Sequence, residues 1–587
     1  MAEHCECPAS WRDAYRRARL LLEDEAQRDP PDEPFRSKYA ARNVLDKLLA
    51  ELEQADEPGG LLLVLRRAAV RSLQATVCQD VEEAAASLEL LEDITERLDI
   101  DSSRPESVSL AMGVQTQLGM IWVNRDDMEK ALPYLEAAEE MYKRYKKEVE
   151  TPPLDVHELF MAQDEMYSEK ERKRRFEKAH THTLCYLALV CKKLEQPERA
   201  AAYCLATLQR QLMSQDYDPV DWATNATMLS QYYILGQQQY AVGRHCLAAA
   251  SVVIAKVPEF EEADTELADI PRCKAEIRRC WIKYCVNLLE DSRLQLEDSI
   301  GELHSKRQQE LQAQQGEANQ LSEAPSLFSG AVIMDAVSLE EGQVPCELAL
   351  SYPEARAMFL FGQSCVQAAK RYYSLNSHTT DYVEVVQDYG ELFNALSFFE
   401  PDMHRRCKMQ KRRIDLLAEV YQELNPRFYL RLCRELQMEL AEACYNLMDL
   451  KVSISSNVEQ PSQHAAKKIN QLAQEAIRYY QLFLNSLCDL EGRFPETLPP
   501  EVERAALVAN FRMGGLHRKL LTTDGAQKLA NTRRAYDCYR FVEGYCVRHP
   551  EAGEKIPAEL ELSQEIVGLL PAEIQRLTSS LGPCQQE

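Results

Sequence analysis

The stretch LGMIWVNRDDMEKALPYLEAAEEMY, residues 118–142, decides the fold. Its composition favours two helices separated by the polar residues 124–127, yet Gly119 stands inside the first helix. Glycine costs about 1 kcal/mol relative to alanine at such a position, so the missing side chain must serve a purpose. Trp122 follows three residues later, and Ala131 follows on the second helix. This spacing predicts a hairpin in which the returning helix packs closely against Gly119 near Ala131, beside Trp122.

The same pattern recurs twice further along the chain. Ala188 takes the place of the glycine in the second copy and is followed by Ala200 on the returning helix. Ser230 takes that place in the third copy, and Tyr233 follows three residues later. Hairpins with small residues at these positions are typical of tetratricopeptide repeats. The copies lie 69 residues (119 to 188) and 42 residues (188 to 230) apart. The usual period is about 34, so we expect long helices and intervening loops.

The composition favours helix along the whole chain. The chain has 587 residues, with 45% hydrophobic residues and only 20 glycines. We therefore predict an all-α fold, a tetratricopeptide-like α-solenoid of helical hairpins in two subdomains. The N-terminal subdomain is expected over 1–270, a long linker helix and a polar, flexible loop over 271–345, and the C-terminal subdomain over 346–587. Tetratricopeptide signatures are weaker in this last region, although its helical periodicity is clear.

The charge and the apolar runs exclude several classes of partner. The formal net charge is 68 − 94 = −26. Nucleic acid and anionic membrane surfaces would be repelled by this excess, whereas a partner with a basic face would be attracted. A merely solvated surface would also account for it. The longest apolar runs, such as LCYLALVC at 184–191, are shorter than the roughly 18 residues that span a membrane, so we expect no insertion into a membrane.

No pattern of residues indicates catalysis or a metal site. Phosphate-binding loops, nucleophile elbows and zinc-protease motifs are absent from the sequence. His180 and His182 point away from each other on a helix and could not share a metal. The 19 cysteines, without a signal peptide, indicate reduced thiols in the cytosol. We therefore expect no enzyme, no cofactor and no metal.

Several longer stretches resemble the kinesin-binding protein family, also called KIF-binding proteins (KBP). They include YLEAAEEMYKRYKKEVETPPLD at 134–155, RFEKAHTHTLCYLALVCKKLE at 175–195, EIRRCWIKYC at 276–285 and DYVEVVQDYGELFNALSFFEPDMHRRCKMQKRRI at 381–414. KYAARNVLDKL at 38–48 and MDLKVSI at 448–454 extend the resemblance to almost the full chain. The first loop, near 55–64, is shorter than in the family.

The resemblance implies a non-enzymatic regulator that binds the motor domains of a subset of kinesins and blocks their attachment to microtubules. It further implies a monomer that is cytoplasmic and cytoskeleton-associated and that affects axonal transport, neuronal microtubule organisation and mitotic kinesins. The family binds the motor on its concave surface. Carried over to this sequence, that role falls to Tyr186, Leu189, Gln211, Thr227 and Gln231.

Two other functions remain open at this point. A chaperone co-factor would grip a carboxylate with a basic clamp on its first helices, whereas the corresponding positions here include Cys185 and Leu189. A general scaffold for vesicle or organelle cargo is compatible with the fold. Binding to a motor domain, rather than to a cargo peptide, would distinguish the motor regulator from the scaffold.

Overall fold

The computed structural model describes residues 7–55, 60–97, 104–257, 269–297, 303–318, 327–328, 333–456, 463–489 and 491–581. Regular structure in these ranges is helical, apart from an isolated antiparallel bridge between Glu297 and Leu303. No helix within them is long and apolar enough to cross a membrane. The chain divides into two compact units. Unit 1 comprises 1–232 and 326–334, and unit 2 comprises 233–325 and 335–587.

The α-helices described in unit 1 are α1 (Ala9–Leu20), α2 (Arg36–Gln54), α3 (Gly60–Asp80), α4 (Ala84–Arg97), α5 (Val108–Asn124), α6 (Met128–Glu148), α7 (Glu169–Lys193), α8 (Pro197–Ser214) and α9 (Pro219–Gln231). Those that follow are α10 (Tyr240–Ala255), α11 (Asp269–Leu296), α12 (Ser305–Ala318), α13 (Met334–Glu341), α14 (Tyr352–Ala369), α15 (Thr379–Phe399), α16 (Met403–Glu423), α17 (Leu430–Ser456), α18 (Gln463–Asn485), α19 (Pro500–Lys519), α20 (Gly525–Arg548), α21 (Pro550–Glu554) and α22 (Pro557–Ser580).

The first hairpin of the pattern consists of α5 and α6, which pack against each other. A Cβ atom on Gly119 would lie 2.6 Å from Cγ of Leu135, whose side chain is fully buried. The close neighbour is therefore Leu135, one helical turn beyond Ala131. Asp127 caps α6, since its carboxylate accepts a hydrogen bond from the Lys130 backbone at 3.2 Å. Trp122 is partly buried and packs against the hydrophobic cluster that includes Leu135.

The second hairpin, α7 and α8, packs beside the first. Leu184, Leu187 and Val190 of α7 join Leu135 in one buried cluster. Ala188 and Ala200 are half-buried. A buried hydrogen bond of 2.9 Å between the hydroxyls of Thr116 and Thr183 also connects α5 to α7. The first helices of these two hairpins therefore contact each other directly, as they do in a solenoid.

The third pair of helices is divided between the two units. The unit boundary lies between Tyr232 and Tyr233, so α9 belongs to unit 1 and α10 to unit 2. Ser230 is fully buried, and Tyr233 is half-buried within the π-helical turn Tyr232–Gly236. The division of the structure thus falls inside the third predicted hairpin rather than at residue 270.

The long helix expected after residue 270 is two helices. The first, α11, ends at Leu296, and the backbone N–H of His304 then donates to the Leu296 carbonyl at 2.8 Å. The chain therefore turns back before α12 begins at Ser305. Trp281 and Tyr284 of α11 are fully buried because α10, α14 and α15 pack around this helix. It is a core helix of unit 2 and not an isolated connector.

Unit 2 uses the same small-residue packing that the sequence showed clearly only in the N-terminal half. A Cβ on Gly362 of α14 would lie 2.8 Å from Cδ1 of Leu392 on α15. A Cβ on Gly514 of α19 would lie 2.8 Å from the ring of Tyr539 on α20. Both hairpins therefore depend on a glycine facing a large residue of the returning helix. The C-terminal region has the same architecture despite its weaker repeat signature.

Candidate partner-binding surface

Capping and turn residues define the ends of α7, α8 and α9, the helices that carry the predicted contact residues. Ser168 caps α7 by accepting a hydrogen bond from the Glu171 backbone at 3.3 Å. The turn to α8 contains Glu195 in the left-handed region, with φ 55°. Pro197 then stands in the first turn of α8, where its missing N–H costs nothing. Asp218 caps α9 in the same manner as Ser168 caps α7, accepting from the Asp221 backbone at 2.8 Å.

Tyr186 and Leu189 share one face of α7 because they are three residues apart. The Tyr186 ring is half-buried and meets the His182 ring edge-on, with the centroids 5.0 Å apart. Leu189 is 41% exposed. Burial raises the pKa of the Tyr186 hydroxyl and lowers that of His182. Tyr186 and Leu189 thus give this face of α7 apolar surface beside the exposed His182 ring.

A groove of about 840 Å³ runs between α7 and the end of α8. Its lining is mostly charged and polar, and its basic side chains (Lys170, Lys173, Arg174, Lys178, Arg210) outnumber its acidic ones (Glu171, Glu177, Asp216). His182 and Cys185 line it from α7, and Gln211 lines it from α8. Gln211 is half-buried, and its side-chain oxygen is buried without a hydrogen-bond partner. Met213, which is 69% exposed, lies at the same end of the groove. Since Tyr186 contacts His182, Tyr186 and Gln211 border one continuous surface.

Glu177 holds this surface in place. Its carboxylate accepts hydrogen bonds from the Tyr142 hydroxyl at 2.6 Å and the Lys146 ammonium at 2.9 Å, and it also pairs with Arg210. Burial alone would raise the pKa of Glu177, but these three donors outweigh it and lower the pKa to about 2. Glu177 is therefore ionised at neutral pH. The network joins α6, α7 and α8 and fixes the walls of the groove.

The α9 residues occupy different positions from those expected. Thr227 is only 4% exposed, and its hydroxyl donates to the Ala223 carbonyl at 2.7 Å, so its side chain does not face a partner. The expectation that Thr227 lies on the open surface is wrong, because each residue advances a helix by about 100°. Its neighbour Met228 is 49% exposed. Gln231, three residues further on, is half-buried and donates to the Ser230 hydroxyl at 3.2 Å.

The described residues contain no cluster that would suit metal chemistry. No group of three or more His, Cys, Asp or Glu side chains there could hold a metal ion. His180 is buried against Tyr142 with the ring centroids 3.5 Å apart, and burial lowers its pKa to about 3. A neutral, stacked imidazole of this kind is a packing group.

Comparison with known proteins identifies the relatives of this chain. Residues 220–577 match the family model described as "KIF-1 binding protein C terminal". The chain is 46% identical to a KIF-binding protein of Gallus gallus over 97% of both chains. It is 39% identical to that of Homo sapiens over 99% of both. A solved structure titled "Kinesin binding protein (KBP)" is 34% identical, with a TM-score of 0.65 over 95% of this chain and 98% of that one.

Proposed function

This chain belongs to the KIF-binding protein family, and from that premise we propose that it binds the motor domains of a subset of kinesins. Binding blocks the attachment of the motor to microtubules. The protein then acts in the cytoplasm, next to the cytoskeleton, on axonal transport, neuronal microtubule organisation and mitotic kinesins. It does this without catalysis or a cofactor, as a monomer.

One observation supports this proposal most directly. The α7–α9 segment of unit 1 presents apolar side chains to solvent beside a groove with a fixed wall. Leu189 and Met228 are 41% and 49% exposed, and the half-buried Tyr186 ring meets the exposed His182 ring edge-on. Tyrosine with one polar end on an apolar ring is common at the energetic centres of interfaces. We assign the motor contact to Tyr186, Leu189, Gln211 and Gln231, and add Met228 in place of Thr227.

Electrostatic attraction explains how this protein could compete with a microtubule for the motor domain. The tubulin surface is acidic, and a kinesin motor binds it with a basic face. A chain with net charge −26 attracts the same basic face. Long-range charge raises the rate of encounter, whereas the side chains of Tyr186, Leu189 and Met228 select which motors bind.

The proposal is tested by Tyr186→Lys in the full chain. A lysine places a cation against the basic motor face and removes the ring, so we expect the affinity for a motor domain to fall at least about tenfold. Binding is measured by isothermal titration of purified motor domain into the protein. The matched control is Tyr39→Lys on α2, where another tyrosine is 45% exposed. Equal affinities for both variants and the unmodified chain, with unchanged melting, would refute the assignment.

A further inference from the structure

A short segment beyond α12 packs into unit 1. Residues 326–334 belong to this unit, although the chain on either side of them belongs to unit 2. Within the segment, Phe328 is 2% exposed, and its ring lies 5.5 Å from the ring of Trp222 on α9, tilted by 59°. The side-chain amide of Gln209 on α8 donates a hydrogen bond to the Leu327 carbonyl at 2.5 Å. Two helices of unit 1 therefore hold the pair Leu327–Phe328.

Trp222 is the group that receives Phe328. Its indole N–H donates to the Leu208 carbonyl of α8 at 3.1 Å, and its ring centroid lies 6.0 Å from that of Tyr217, between α8 and α9. The tryptophan is 1% exposed. Tilted aromatic rings at these distances attract each other beyond the area that they bury. Phe328 therefore covers a tryptophan that already connects α8 to α9.

The contact has the form of peptide recognition. It combines one anchoring aromatic side chain with one hydrogen bond to a backbone carbonyl, and protein surfaces hold short peptide segments with the same two elements. In the sequence, Leu327 and Phe328 are the only large apolar residues between Pro325 and Ala331. An apolar pair among small and polar residues has little to pack against locally, so its burial depends on α8 and α9.

We propose that Leu327–Phe328 is an internal ligand of unit 1 that sets the spacing of α8 and α9. This inference rests on the proposed function, because α8 carries Gln211 and α9 carries Met228 and Gln231 of the motor contact. Gln209 and Gln211 are two residues apart, or about 200° around α8, so the segment holds α8 from the side away from that contact. A surface with its spacing fixed in advance loses less entropy on binding. Phe328 is therefore a positioning residue for the motor contact.

A peptide added in trans tests the docking without a motor. The probe is a fluorescein-labelled peptide with the sequence APSLFSGA of residues 324–331, and its binding to the full chain is followed by fluorescence anisotropy. Phe328→Ala should bind it saturably and at least about tenfold more tightly than the unmodified chain, whose own Phe328 competes for Trp222. The matched control, Phe428→Ala, removes an 80% exposed phenylalanine of unit 2 and should behave as the unmodified chain. A peptide with alanine in place of its phenylalanine should bind Phe328→Ala at least about tenfold more weakly.

The same variants test the positioning role. By isothermal titration, Phe328→Ala should bind a kinesin motor domain at least about threefold more weakly than the unmodified chain, because α8 and α9 lose their fixed spacing. Phe428→Ala should bind the motor as the unmodified chain does. Saturating APSLFSGA peptide should restore the affinity of Phe328→Ala, and a variant that had merely misfolded would not recover in this way.

The inference is overturned if Phe328→Ala and the unmodified chain bind the peptide alike, or if neither binds it saturably. It is also overturned if Phe328→Ala keeps its full affinity for the motor, or if the peptide does not restore a lost affinity. Failure of the proposed function has a different signature, since the unmodified chain would then bind no motor domain, whereas the anisotropy experiment uses none.

Discussion

Adding a single methyl group at Gly119 tests why the hairpins pack as they do. A Cβ at this position would meet Cγ and Cδ2 of Leu135 at 2.6 and 2.7 Å, and Leu135 is fully buried and unable to move aside freely. Gly113 lies on the same helix, and a Cβ there would meet nothing within 4 Å. Both Gly→Ala changes gain about 1 kcal/mol of helix propensity. Only Gly119→Ala adds the cost of overpacking, about 1–3 kcal/mol.

The difference between the two variants therefore isolates the packing term, because the propensity gain cancels. Gly113→Ala should be about 1–3 kcal/mol more stable than Gly119→Ala. This corresponds to a separation of about 2–4 °C per kcal/mol for a unit of this size. Urea unfolding can be followed by tryptophan emission, since Trp11, Trp122 and Trp222 report on unit 1. Equal stability of the two variants would show that the glycine is not required by the returning helix.

Three further predictions concern buried groups. Burial raises the pKa of Glu439 to about 7, so the folded state binds a proton more tightly than the unfolded state. The unmodified chain should therefore lose stability relative to Glu439→Gln as pH rises from about 5 to 8. The urea midpoints of the two proteins across this pH range measure the difference. Arg172→Met removes the cation 2.9 Å from the fully buried Glu158 carboxylate, which keeps hydrogen bonds from the Asp155 and Tyr167 backbones, and should cost about 3 kcal/mol. A cost below about 1 kcal/mol, as expected for an exposed pair, would contradict this. Thr227→Asp should lower the melting temperature sharply and Met228→Asp should not, and the reverse order would contradict the positions of these side chains in α9.

The helical class and the hairpins of unit 1 could be predicted from the sequence because close helix packing requires small residues inside helices, and these are recognisable in the sequence. A glycine inside an otherwise strong helix has a cost, so Gly119 indicated the close approach of a second helix. The large partner, Leu135, could not be singled out, since leucines are frequent on every helix. Gly362 and Gly514 have the same role in unit 2. They were not identified because the residues around them depart from the tetratricopeptide consensus.

Other features, such as where α11 ends and which α9 side chains are buried, depend on tertiary contacts that hydrophobic periodicity does not reveal. Helix α11 ends at Leu296 and α12 begins at Ser305, and this break was not predicted although Gly301 interrupts the helical pattern there. Thr227 was assigned to the surface although it lies three residues before the buried packing residue Ser230 and so shares its face of α9. No change of composition marks the division between the two compact units at residue 232. Residues 56–59 of the short first loop near 55–64 lie outside the described residues.

The central claim is tested most directly by microtubule co-sedimentation of a purified kinesin motor domain with a non-hydrolysable ATP analogue. Increasing amounts of the full chain are added, and the motor in the pellet and supernatant is measured. The account predicts that a susceptible motor moves to the supernatant in a soluble complex, and that Tyr186→Lys shifts this titration to higher concentration. If motors of several classes stay on the microtubule and none associates with this chain, the proposed function is wrong.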